Sequence, residues 1–128
     1  MKNLGVVCSR PRELCVVAAS DLRPLNLFLH HFMTLDEYQE RAVRTVNPAL
    51  DEQGVLIDAA AGLAEEAGES LAHVRKHVFQ GRALNREALA EELGDALWCI
   101  ATAARAIGYS LGAVAQENLA KITKRRDG

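Results

Sequence analysis

The chain has 128 residues, 49% of them hydrophobic and 25% charged, with a formal net charge of −2. That length accommodates one domain with a buried core, and the near-balanced charge gives no global reason to expect nucleic-acid or membrane-surface binding. No apolar run approaches the length of a membrane span.

Three cysteines (Cys8, Cys15 and Cys99) occur without a CxxC pair. This argues against a disulfide framework or a zinc site and for a reducing, cytoplasmic setting. Aromatic residues make up only 5% of the chain, and the many alanines favour close-packed helices over sheets.

Residues 1–32 differ in character from the rest. Arg10, Pro11, Arg12 and Glu13 interrupt their apolar stretches, so a signal peptide fits poorly. We expect these residues to form an N-terminal extension peripheral to function, of the kind an upstream start codon would add. The domain proper then covers 33–128.

Thr34 followed by Glu37 has capping-box spacing and predicts a helix from about Leu35 to Val46, stopped by Asn47-Pro48. A long second helix is expected from about Gln53 to Phe79, closed by Gly81. Asn85 is placed to cap a third helix reaching Ile107, with Gly108 as a left-handed stop. Ser110 opens a fourth helix ending near Lys124. The connections are short, and no strand-like alternation follows Met33, so the fold expected is all-α, an antiparallel bundle of four main helices.

The two long helices repeat one design. Leu56, Leu63, Ala67, Leu71, Val74 and Val78 share a stripe on the second helix; Leu89, Leu93, Ala96, Leu97, Ile100 and Ile107 share one on the third. Glu66 and Glu69 flank the first stripe, and Glu92 and Asp95 flank the second at nearly the same offsets. Each pair has i, i+3 spacing, which places two carboxylates on one helix face. Glu65 and Glu91 lie farther round on their helices, and the wheel treats them alike.

A single such pair is usually just a solvated helix face. Two pairs at matched offsets on facing helices would crowd four like charges, and such a cluster persists when a cation balances it. An all-oxygen donor set points to Mg²⁺, with Mn²⁺ as the nearest substitute. Gly68 and Gly94, each just before an acid, suggest a close helix approach at the same place.

Beyond the acids, Asn118, Lys121 and Arg125 share a face of the last helix and suit phosphate binding. Basic residues there also complement the helix dipole, which is the plainer reading of Arg125. Lys76 is a further phosphate candidate. Trp98 either stacks on a base or packs in the interior, packing being the usual fate. Tyr38 and Gln39 are candidates for contact with a base. His73 and His77 do not follow a Glu at the i, i+3 spacing of di-iron bundles, so they read as surface or pocket-edge residues.

Glu65-Glu-Ala-Gly-Glu69 and Glu92-Leu-Gly-Asp95 resemble the EExxE…ExxD signature of MazG-like nucleoside triphosphate pyrophosphohydrolases, within the all-α NTP pyrophosphatase superfamily. Gly62-Leu-Ala-Glu-Glu-Ala-Gly-Glu-Ser, Glu92-Leu-Gly-Asp-Ala-Leu-Trp98, Gly108-Tyr-Ser-Leu111 and Asn118-Leu-Ala-Lys-Ile-Thr-Lys-Arg125 are also similar to family segments. The likeness runs from about Thr34 to Arg126.

It implies Mg²⁺-dependent hydrolysis of a (deoxy)nucleoside triphosphate between its α and β phosphates, to a monophosphate and pyrophosphate, as nucleotide-pool house-cleaning. On this likeness Glu66, Glu69, Glu92 and Asp95 are metal ligands, and Glu65 holds or activates the attacking water. Glu91 becomes a bystander. The likeness also implies a homodimer or dimer of dimers with the site near the interface. Two alternatives stand beside it: a phosphoribosyl-ATP pyrophosphohydrolase with similar acids, and a non-enzymatic helical module that binds a partner or stores metal.

Overall fold

The computed structural model describes residues 32–127. Apart from Phe32, the expected N-terminal extension lies outside the described residues. Four helices occupy the described part: α1 (Leu35–Val43), α2 (Glu52–Gln80), α3 (Arg86–Ala106) and α4 (Leu111–Asp127). No strand occurs among the described residues, and the all-α bundle expected from the sequence is the fold observed.

Local chemistry sets the helix ends. At α1, Glu37 N–H donates to Thr34 Oγ1 (3.1 Å) and Thr34 N–H donates to Glu37 Oε2 (2.7 Å), closing the capping box. Asp51 caps α2 through Gly54 N–H (2.7 Å), and Asn85 caps α3 through Ala88 N–H (3.1 Å). Gly81 (φ 65°) and Gly108 (φ 80°) adopt the left-handed conformation that ends α2 and the α3 corner.

Helix α1 ends three residues sooner than expected. The amides of Arg44, Thr45 and Val46 bond three residues back, to the carbonyls of Arg41, Ala42 and Val43, so the last turn tightens before Asn47-Pro48.

Helix α3 is the hub, packing against all three other helices, whereas α2 touches only α3 among the described helices. The five-residue connection between α2 and α3 makes them antiparallel. Helix α4 departs from a simple antiparallel return, leaving α3 at a bend of 102° and resting on α1 and α3 only. No single described helix is long and apolar enough to cross a membrane.

Packing corrects the helical-wheel picture. On the two long helices the buried residues are small: Ala59 on α2, and Cys99, Ala101, Thr102 and Ala104 on α3. Ala42, Ala101 and Leu111 form the core, with Tyr38, Leu97 and Trp98 against it. Much of the apolar stripe expected to be the seam is exposed instead, including Leu71 (62%), Val78 (60%) and Leu93 (58%). Helices α2 and α3 come closest at small residues, while Leu71, Val74, Val78 and Leu93 lie exposed and Leu63, Leu89 and Leu97 are half-buried.

The close approach lies at Gly62, where an added Cβ would stand 2.9 Å from Cys99 Sγ. At Gly68 and Gly94, the positions expected to mark it, a Cβ would meet nothing within 4 Å. The expectation for those two glycines is therefore corrected.

Candidate active site

Two helical registers bring the carboxylates together. Gly62 on α2 meets Cys99 on α3; one turn along each helix from this contact, in opposite chain directions, stand Glu66 and Asp95. Carboxylate oxygens of Glu66, Glu69 and Glu92 all lie within 4.8 Å of one another. Asp95 stands outside that tightest trio, yet its charge acts on Glu66, Tyr38 and Cys99.

The electrostatics show the crowding. Desolvation lifts the Glu66 carboxyl above the ordinary carboxylate value; Asp95, a hydrogen bond to Glu92, and the charges of Glu69 and Glu92 lift it further. A Glu66 that holds its proton can donate to Glu92, which is how adjacent carboxylates relieve repulsion without a cation. Below the cluster, burial pushes the Cys99 thiol up, with Glu66, Asp58 and Asp95 adding to the effect. Tyr38 is raised by burial and then by Asp95 and Cys99, so α1 borders the same negative field.

These donors suit a hard divalent cation. Three carboxylates from two rigid helices converge within one ion's coordination sphere, a fourth adjoins them, and no imidazole or thiolate lies among the trio. His73 Nε2 does approach Glu92 Oε1 at 3.4 Å, from the rim. Sequence reasoning missed that contact, although His73 lies four residues beyond Glu69, on its face.

The remaining candidates distribute unevenly. Glu65 is exposed on α2 and is not part of the three-carboxylate cluster, and Glu91 is likewise exposed. Lys76 is exposed two turns beyond Glu69, about 10 Å along the axis. Trp98 is half-buried: its indole N–H donates to Thr45 Oγ1 (2.8 Å) and its side chain packs against the core. That arrangement fits the packing alternative of the sequence reading. Gln39 is buried and bonds only to backbone groups, so it is not free to contact a base.

Asn118 and Lys121 line a groove of about 470 Å³ with Ile107, Tyr109, Val114 and Glu117. Ile107 is twelve residues past Asp95, about 18 Å along α3. Within one chain, therefore, these two residues and the carboxylates do not meet. Arg125 is exposed farther along α4 and does not line this groove.

Fold and cluster define the class first: an all-α protein with a cluster of carboxylates shared between two antiparallel helices. The family follows from the sequence of that region. Residues 57–128 match the MazG nucleotide pyrophosphohydrolase domain, and the chain belongs to that family. Its general activity is accordingly that of a nucleotide pyrophosphohydrolase. The match takes in both acidic pairs and α4, and begins after α1. No curated protein and no solved structure matches the chain.

Proposed function

We propose that the protein hydrolyses (deoxy)nucleoside triphosphates between the α and β phosphates, releasing a nucleoside monophosphate and pyrophosphate, with Mg²⁺ held by Glu66, Glu69, Glu92 and Asp95. The observation that carries this reading is the convergence of carboxylates from α2 and α3 within 4.8 Å, inside the family's domain. Bound there, a divalent cation supplies neutralisation of phosphate charge and acidification of a water.

The chain's own residues do the rest. The rigid α2–α3 register holds the four acids in place before substrate arrives, so little reorganisation is required on binding. Glu65, on the adjacent exposed face of α2, takes a proton from the attacking water at its carboxylate. Asn118 and Lys121 hold phosphate oxygens, Lys121 as a point charge and Asn118 as a hydrogen-bond donor; Lys76 and Arg125 are secondary contacts.

Because Asn118 and Lys121 sit far from their own chain's acids, we assign them to the site of a second copy. The exposed stripe of Leu56, Leu71, Val74, Val78, Leu93 and Ile100 supports a homodimer or a dimer of dimers, since an apolar surface of that kind favours cover. The carboxylates also line neither of two grooves, of about 390 and 470 Å³, found elsewhere on the described surface. A partner that completes the cleft accounts for its openness in one chain.

The test is a panel of NTPs and dNTPs with Mg²⁺, scored for monophosphate and pyrophosphate, with phosphoribosyl-ATP as an added substrate. Turnover of several triphosphates supports the proposal. Turnover of phosphoribosyl-ATP alone would assign the same acids to that pyrophosphohydrolase. A folded protein that turns over nothing in the panel would favour a binding module.

A further inference from the structure

We propose that Asp36 and Gln39 of α1 are positioning residues for substrate, acting through the N-terminus of α4. The inference rests on the proposed phosphate role of Asn118 and Lys121, and it concerns a helix outside the family match.

The contacts form a clasp. Gln39, 3% exposed, donates from Nε2 to the carbonyls of Ala101 (3.0 Å) and Tyr109 (3.1 Å), while its Oε1 accepts from Leu111 N–H (3.1 Å). One side chain thus ties α1 to α3, to the corner and to the first residue of α4. Asp36 Oδ1 accepts from the next amide, Gly112 N–H, at 2.8 Å. Ser110 Oγ accepts from the third, Ala113 N–H, at 3.1 Å. The first three amides of α4, which no residue within the helix can satisfy, are thereby met, two of them by α1. The carboxylate of Asp36 also suits the positive end of the α4 dipole.

Gly112 is shaped for this contact. A Cβ there would stand 2.9 Å from Asp36 Oδ1 and 3.2 Å from its Cγ, so any side chain would displace the carboxylate. Helix α4 packs on no described helix but α1 and α3, and from Gln116 onward it is exposed. Its direction is therefore set at its first turn. Lys121 lies nine residues beyond Gly112, about 13 Å along the axis, so a tilt of about 10° moves it by about 2 Å. That is enough to separate an ammonium from a phosphate oxygen.

Asp36→Ala and Gly112→Ala provide the test, because Asp36 is exposed and either substitution leaves the buried Gln39 in place. With wild type turning over a triphosphate, each should raise KM roughly three- to tenfold, as expected for a weakened charge-assisted contact. The kcat and the Mn²⁺ affinity should stay within about twofold of wild type. The double variant should be no worse than the worse single one, since both remove the same contact. Asp36→Asn, which keeps an acceptor oxygen, should restore most of the KM. Amide exchange at Gly112 should quicken in Asp36→Ala.

Faster exchange at Gly112 with an unchanged KM would overturn the proposal, as would equal losses in kcat and metal affinity. A wild type that binds Mn²⁺ but turns over no nucleotide would count against the proposed function, and with it any substrate role for α4.

Discussion

Gln39 and Glu66 are side chains of equal length, each at a junction between helices, and their surroundings differ in kind. Gln39 has backbone partners for its amide nitrogen and its amide oxygen, in the corner where α1, α3 and α4 meet. Glu66 has two carboxylates within 4.8 Å and a third whose charge reaches it. No buried side-chain N or O among the described residues lacks a hydrogen bond. The corner is thus a satisfied polar network that specifies one arrangement. The cleft is a set of like charges that the fold alone does not balance, and such local conflict is the mark of a functional site.

The largest effect should come from the cleft. Asp95→Asn or Glu69→Gln should lower turnover by about 100-fold or more, the upper end of what loss of a mere outer-shell metal partner costs. The helical circular dichroism spectrum should be unchanged. Unfolding of either variant would make the acids structural and dissolve the contrast with Gln39.

Gln39→Ala should show the opposite profile, with stability lost first. It strands the Tyr109 carbonyl and the Leu111 amide and removes a second acceptor contact at Ala101, and should cost about 2–3 kcal/mol in chemical denaturation. A neutral result would mean that water replaces the side chain and that the corner is not a specifying network.

A pair of glycines sharpens the difference within α2. Gly62→Ala should destabilise by about 1–3 kcal/mol, because its Cβ would press on Cys99 Sγ. Gly68→Ala meets nothing within 4 Å and should stabilise by up to about 1 kcal/mol through helix propensity. Equal effects in thermal melts would remove Gly62 as the point of close approach.

The smallest effect is a pH dependence in metal-free protein. The Glu66 carboxyl is lifted by burial and by its acidic neighbours, so its contribution favours the folded state in acid. That contribution is lost as pH rises through the lifted value. Glu66→Gln removes the term. Its melting temperature with chelator should be close to wild type near about pH 4 and higher than wild type near about pH 7. A wild-type advantage at neutral pH would mean that the cluster is not repulsive.

Much of the fold was legible because it depends on local chemistry. Thr34/Glu37, Asn85, Ser110, Gly81 and Gly108 each act within one turn of themselves, and the helix ends fall within three residues of the positions they predict. Which face is buried was less legible. The wheel sums hydrophobicity, so it favoured Leu71, Val78 and Leu93. The α2–α3 contact is instead governed by how closely the backbones can approach, through Ala59, Gly62 and Cys99.

The matched offsets of the two acidic pairs anticipated the convergence of Glu66, Glu69 and Glu92, with Asp95 beside the trio, since i, i+3 spacing on paired helices is a geometric statement. They carried no information on the separation of Asn118 and Lys121 from the cleft, which follows from the 102° bend between α3 and α4. The Asp36–Gly112 contact spans 76 residues, and no periodicity in a single helix encodes it.

The most direct measurement is phosphorus NMR of one deoxynucleoside triphosphate incubated with the protein and Mg²⁺, alongside Asp95→Asn. The α2–α3 carboxylate site predicts equal amounts of monophosphate and pyrophosphate from the wild type and almost none from the variant. Diphosphate with orthophosphate, or full activity in Asp95→Asn, would contradict it.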